Sequence, residues 1–179
     1  MRLFFAACIA LLCACSSQKK IVATSEPLKL YEVIPDAKDK KTLRGILTKE
    51  LITKDTAFGW YADNLKYFHP DSTVVQAIRS KADQIEIVLF CGTWCHDSQQ
   101  LVPKYFSSLE AANFPDNKLT IIGVDRAKTT VGDLHKVFHL VNVPTLIVMK
   151  DGKEVDRIVE YGKTALVDKE LGEIIAEIK

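Results

Sequence analysis

The chain has 179 residues, with 24 basic side chains against 23 acidic ones and 47% hydrophobic composition. That length and apolar content suffice for one ordinary globular core. The near-neutral charge excludes a broad basic surface, so neither nucleic acid nor an anionic membrane patch is the expected partner.

Met1-Arg2 supplies a positive start, and Leu3 to Ala14 is an unbroken run of apolar and Cys residues. It is too short for a helix spanning a bilayer, which takes about 20 residues. Its proportions are those of a secretory h-region. Leu12-Cys13-Ala14-Cys15 resembles the lipobox of bacterial lipoprotein signals, in which a peptidase cuts before the last Cys and that thiol receives diacylglycerol. The resemblance implies a signal peptide over residues 1–14 and lipid attachment at Cys15. Ordinary cleavage without lipid and a retained anchor are the alternatives. The location it implies is the bacterial cell envelope, lipid-anchored and periplasm-facing, where thiols meet an oxidising compartment. Cys8 and Cys13 would leave with the signal, and with Cys15 acylated only Cys91 and Cys95 stay free. Two cysteines build no disulfide scaffold, so the fold rests on its hydrophobic core.

Residues 15–40 carry the lipidated Cys and then read as a polar, Lys-rich tether containing Pro27 and Pro35. Residues 41–70 form an N-terminal extension expected to pack on the domain. In it Leu43, Ile46, Leu47, Leu51 and Ile52 suit a short helix or strand, followed by the aromatics Phe58, Trp60, Tyr61, Tyr67 and Phe68. From residue 71 the pattern sharpens. Asp71-Ser72-Thr73 offers N-cap oxygens, with Thr73 and Gln76 placed for a capping box, for a helix to about Ala82. Ile85 to Phe90 is a buried-strand run. Leu101, Val102, Tyr105, Phe106, Leu109 and Ala112 recur at helical spacing around an internal Pro103. Leu119 to Val124 reads as a second buried strand, and Leu134 to Val141 contains a short helix. Thr145 to Met149 and Glu154 to Val159 flank the Asp151-Gly152-Lys153 turn of a β-hairpin. Val167 to Ile178 closes the chain as an amphipathic helix with Thr164 as its cap. The order αβαβαββα predicts one α/β domain around a central sheet.

The chemically loaded segment is Cys91-Gly92-Thr93-Trp94-Cys95-His96-Asp97-Ser98, where a strand gives way to a helix. A cysteine at a helix start lies beside unpaired N–H groups that favour its thiolate, the nucleophilic form. A protonated His96 would act in the same direction, and Asp97 against it.

Trp94-Cys95-x-x-Ser98 resembles the Trp-Cys-x-x-Cys site of the thioredoxin family, with serine in place of the second cysteine. Pro103 matches the family's helix-kinking proline. Val143-Pro144-Thr145 matches its cis-proline loop, and Lys150 to Lys153 its hairpin turn. The resemblance covers residues 71–179 and implies the thioredoxin fold, a central mixed sheet flanked by helices, here with an N-terminal irregular or helical extension. Gly92-Thr93-Trp94-Cys95-x-Asp97-Ser98 together with Gly123 to Arg126 is similar to envelope thioredoxin-like proteins of Bacteroidetes-type bacteria. By the same resemblance, Cys95 is the catalytic thiol, Pro144 presents backbone to a substrate chain, and Trp94, His96, Asp97, Val143 and Thr145 line the site.

Two departures limit what carries over. Ser98 replaces the resolving cysteine, and Leu89 stands where dithiol members carry a buried acid. Ser98 can hydrogen-bond a thiolate at Cys95 but cannot form a disulfide. Cys91 shares a strand face with Leu89 and is the internal candidate for a resolving thiol, against the alternative of an ordinary buried core cysteine. The function implied is thiol–disulfide exchange with protein or small-molecule disulfides and thiols of the envelope, needing no metal and no cofactor. Two alternatives stand beside it: a copper(I) chaperone using Cys91 and Cys95, and a binding module that has kept the fold without the chemistry. His135 and His139 are four apart on the short helix without a third ligand in sequence, and His69 has no evident partner.

Overall fold

A computed structural model describes residues 30–179. The expected signal segment 1–14, the expected lipid site Cys15 and most of the expected tether lie outside the described residues. Six strands form one sheet: β1 (Tyr31–Asp36), β2 (Lys40–Leu47), β3 (Glu86–Cys91), β4 (Leu119–Gly123), β5 (Thr145–Lys150) and β6 (Lys153–Val159). Their spatial order is β1-β2-β4-β3-β5-β6, with β3 and β4 parallel and every other neighbouring pair antiparallel.

The first two strands correct the sequence expectation. The sequence reading places residues up to 40 in a tether and 41–70 in a packed extension, but Tyr31–Asp36 and Lys40–Leu47 form a hairpin that extends the sheet through β2 and β4. The rest of the extension is helical: α1 (Glu50–Thr53), a 3-10 turn at Thr56–Phe58 and α2 (Trp60–Leu65). Ile52 and Phe58 sink into the core.

Four further helices follow, α3 (Ser72–Lys81), α4 (His96–Ala111), α5 (Leu134–Val137) and α6 (Val167–Ala176), in the predicted αβαβαββα order. Two caps differ from expectation. Asp71, not Thr73, caps α3 by accepting the Thr73 N–H at 2.7 Å. Leu166 occupies the N-cap of α6, while Thr164, two residues earlier, accepts the Leu166 N–H.

β3 is the central strand, and its side chains sort strictly by parity. Ile87, Leu89 and Cys91 enter a large core with Val74 and Ile78 of α3, Leu101, Val102 and Tyr105 of α4, and Leu171 and Ile175 of α6. Val88 and Phe90 enter a smaller cluster with Ile122, Val124, Val143 and Ile147, against which Trp94, Cys95, Leu134 and Phe138 pack. At the far end of β5, Asp151 (φ 51°) and Gly152 (φ 71°) both take the positive φ that a tight two-residue hairpin turn requires.

Helix α4 continues through Pro103. Proline has no N–H for the carbonyl four residues back, which leaves the oxygen of Gln99 without its helical partner. Asn64 of α2 fills the vacancy, donating its Nδ2 to that oxygen at 3.1 Å and to the Trp60 oxygen at 2.9 Å. The extension is thereby pinned to the helix that begins at the candidate site.

Candidate functional site

Strand β3 ends at Cys91, and three residues later the chain enters α4 with Cys95 as its N-cap. The connection is drawn tight by two backbone bonds, Cys95 N–H to the Gly92 oxygen and Val124 N–H to the Cys91 oxygen, each 2.9 Å. No side chain caps α4, so its first-turn N–H groups are left facing the half-buried sulfur of Cys95. That sulfur donates to the Val143 carbonyl oxygen at 3.2 Å. The Val143–Pro144 peptide bond is cis. The structure thus brings Cys95 and the Val143-Pro144-Thr145 loop together. Val143, Pro144 and Thr145 are all buried, and the Thr145 hydroxyl ties back to the Asn142 oxygen at 2.7 Å.

Trp94 forms one wall. Its Nε1 donates to the Val124 oxygen at 3.0 Å, and its ring overlies Gly92, where an added Cβ would come within 2.8 Å of the indole. Only glycine leaves room for that stacking. Asp97 accepts from the Tyr161 hydroxyl at 3.1 Å, and burial together with that carboxylate raises the Tyr161 pKa. His96 points to solvent.

Ser98 is buried, and its oxygen accepts the Gly92 N–H at 3.1 Å. Its bond thus goes to the loop backbone rather than to Cys95, the partner expected from sequence. Cys91 and Cys95 are both free thiols. Cys91 is 2% exposed, and burial, then the proximity of Cys95, pushes its thiol up to about 12. The two sulfurs pack with different clusters, Cys91 on the α3–α4–α6 side of the sheet and Cys95 against the other. Leu89 is fully buried on the Cys91 side, with no acid in its place.

The histidine pair separates. Helix α5 ends at Val137, and His139 follows it with φ 50°, so His135 and His139 share no helical face. His135 instead accepts the Thr130 N–H on Nδ1 at 3.2 Å, a local turn contact. His69 is exposed. Among the described residues, no three His, Cys, Asp or Glu side chains converge as a metal site.

Several residues make contacts at the site that the sequence does not supply, Thr93 and Arg126 among them although both stand inside the quoted motifs. Thr93 is buried and accepts the Leu43 N–H of β2 at 3.2 Å. Gln99 donates to the Thr93 oxygen at 2.9 Å. Arg126, after β4, lies over the Trp94 ring at 5.2 Å. The alternation of Leu43, Gly45 and Leu47, with Asp36 to Asp39 as a polar turn, was the one pattern that could have brought β2 to this place.

A mixed sheet carrying a thiol at a strand-to-helix junction, opposite a cis-proline loop, defines a thioredoxin-type domain. The family model described as Thioredoxin matches residues 69–171, and the chain belongs to that family. The chain is 32% identical over 89 residues to the TPR repeat-containing thioredoxin TDX of Arabidopsis thaliana, covering 50% of this chain and 22% of that protein. Against a thioredoxin H-type of Populus jackii it is 28% identical over 90 residues, covering 50% of this chain and 60% of that protein. A thioredoxin of Mycobacterium tuberculosis is 31% identical over 93 residues, which make up 51% of this chain and 75% of that protein. The chain thus spans less than two thirds of the first two relatives. Among solved structures, Fasciola hepatica thioredoxin is 23% identical, with 58% of this chain and 89% of that chain covered at a TM-score of 0.41. The matched segment begins after α2, so β1 and β2 lie outside it. In general terms a domain of this family serves thiol–disulfide chemistry.

Proposed function

We propose that the protein is a cell-envelope thiol–disulfide exchange protein, anchored through acylated Cys15, in which Cys95 is the single working nucleophile. The observation that carries this reading is the placement of the Cys95 sulfur, half-exposed at the uncapped start of α4 and in contact with the Val143 carbonyl. The thiolate of Cys95 attacks one sulfur of a substrate disulfide. A mixed disulfide forms with Cys95, and the other substrate sulfur leaves as thiolate. An external thiolate then attacks Cys95 Sγ, releases the first substrate sulfur and takes its place. A second external thiol frees Cys95, so that one substrate disulfide is reduced while two external thiols become a disulfide. Cys91 is not given the resolving role, because burial holds it protonated and its side chain belongs to the opposite cluster. The same burial argues against copper(I) held between Cys91 and Cys95, because a soft metal there takes both sulfurs as thiolates.

The test is the Cys95→Ser variant of the full chain, assayed for reduction of a protein disulfide with glutathione as the external thiol. Activity should fall to background, and the wild-type chain should yield a trapped glutathione adduct on Cys95 by mass spectrometry. Retention of activity by the variant would end this reading, and a wild-type chain with neither activity nor adduct would end it in favour of a binding module.

A further inference from the structure

The loop that carries Cys95 is held from outside the matched domain, by the turn of the β1–β2 hairpin. The Arg126 guanidinium over Trp94 is bound by two carboxylates of that turn. Nε donates to Asp36 Oδ2 at 2.7 Å, and Nη2 donates to Asp36 Oδ1 at 3.1 Å and Asp39 Oδ2 at 2.5 Å. Asp36 is preset for this contact. It already accepts the N–H groups of Lys38 and Asp39 at 2.9 and 3.3 Å and the Thr42 hydroxyl at 3.4 Å, and its side chain is only 10% exposed. A planar guanidinium gripped by two acids loses the freedom to leave the indole. The same hairpin reaches the loop a second time, where the Leu43 N–H meets the Thr93 hydroxyl.

We propose that Arg126, clamped by Asp36 and Asp39, is a positioning residue for the Cys95 site, fixing the Trp94 ring that walls the thiol. The hairpin is then a working part of the site rather than an added edge of the sheet. The proposal deepens the exchange reading above and rests on it for its functional consequence.

The experiment uses the full chain in a Trp60→Phe background, which leaves Trp94 as the lone tryptophan of the two in the sequence. Three variants are compared: Asp36→Asn with Asp39→Asn, Arg126→Met, and Arg126→Lys. Acrylamide quenching reports the freedom of Trp94, and the reaction rate with 4,4′-dithiodipyridine, an uncharged disulfide, reports Cys95 when the adduct is followed on the Cys95 peptide by mass spectrometry. Quenching should rise about twofold or more, and the rate should fall about threefold or more, in both the double-acid and the Arg126→Met variants. Arg126→Lys should fall between these and the parent, because a cation remains but the two-acid grip does not. Parental values for both readouts in the double-acid and Arg126→Met variants would overturn the proposal. A parent that fails to react with the disulfide would defeat the exchange reading, while quenching would still decide the role of Arg126. Should the Trp60→Phe background not fold, 19F NMR of the chain labelled with 5-fluorotryptophan gives the same answer. The Trp94 resonance must then shift in both variants, and an unmoved resonance overturns the proposal.

Discussion

Alkylation of the native chain with iodoacetamide at about pH 7 should separate Cys91 from Cys95, the two free thiols among the described residues. With its thiol pushed up to about 12, roughly one Cys91 in 10⁵ is ionised at that pH. An ordinary thiol near pKa 8.5 is ionised at roughly three in a hundred. Only the thiolate reacts, so Cys91 starts with a deficit of about three thousandfold before its 2% exposure is considered. The assay is timed labelling, native and in concentrated urea, followed by digestion and quantification of each cysteine peptide. Native Cys91 should label about three orders of magnitude more slowly than in urea, whereas Cys95 should label readily in both. Native labelling of Cys91 within tenfold of its urea rate would refute the reasoning, as would a Cys91–Cys95 disulfide formed in oxidised glutathione. The same burial has a pH consequence. The folded-state pKa lies above the unfolded one, so this contribution to stability is complete below about pH 8.5 and is lost as pH climbs toward 12. Thermal melts between about pH 8 and 9.5 should therefore fall less steeply for Cys91→Ala than for the parent.

Two further substitutions probe the loop. Ser98→Cys places a sulfur three residues after Cys95, and the variant should form an internal disulfide on oxidation, read as a 2 Da mass loss. The reduced variant should reduce one equivalent of substrate disulfide without glutathione as that internal disulfide forms. Because the Gly92 N–H loses its oxygen acceptor at 3.1 Å, the variant should also be less stable by about 1 kcal/mol, or about 2–4 °C in Tm. Thr93→Val keeps the shape but strands the buried Leu43 N–H. It should cost about 1–3 kcal/mol in urea unfolding and speed hydrogen exchange at the Leu43 amide; unchanged exchange would contradict the assigned bond.

The half of the fold from residue 71 was legible because its elements are buried on defined periods. Ile85 to Phe90 is apolar throughout since β3 is covered on both faces, and the alternation of its side chains between two clusters follows from pleat geometry alone. The hairpin of Tyr31–Asp36 and Lys40–Leu47 was obscured for the opposite reason. β1 is a sheet edge with Glu32, Val33 and Pro35 exposed, so it lacks the apolar run that marks a central strand, and Pro35 reads as loop. The short α5 was visible, but not its end at Val137, where a left-handed residue two positions later breaks the helical pairing of His135 with His139. At the site, Cys95, Trp94 and the Val143-Pro144-Thr145 loop were readable as a motif. The contacts of Thr93 and Arg126, which stand inside the quoted motifs, and of Asp36 were not, since they reach across 50 to 90 residues.

What the site retains and what it lacks point the same way. The entry side of exchange is built: an N-cap thiol, a neighbouring carbonyl before a cis-proline, and an indole wall fixed by the Val124 oxygen. The exit side is closed. Ser98 has no sulfur and its oxygen is bonded to Gly92, Leu89 supplies no proton acceptor beneath the site, and Cys91 is buried and held protonated. On the proposed reading, a mixed disulfide on Cys95 has no internal leaving route, and its lifetime is set by the concentration and access of an outside thiol. The surface around Cys95 is then decisive for turnover, because on that reading it admits a substrate and then a second thiol in sequence. Arg126 and Trp94 border that surface, and the two acids that hold Arg126 belong to the β1–β2 turn. Changes in the hairpin should consequently alter release of the mixed disulfide as well as its formation, which stopped-flow measurement of each step on the double-acid variant will resolve.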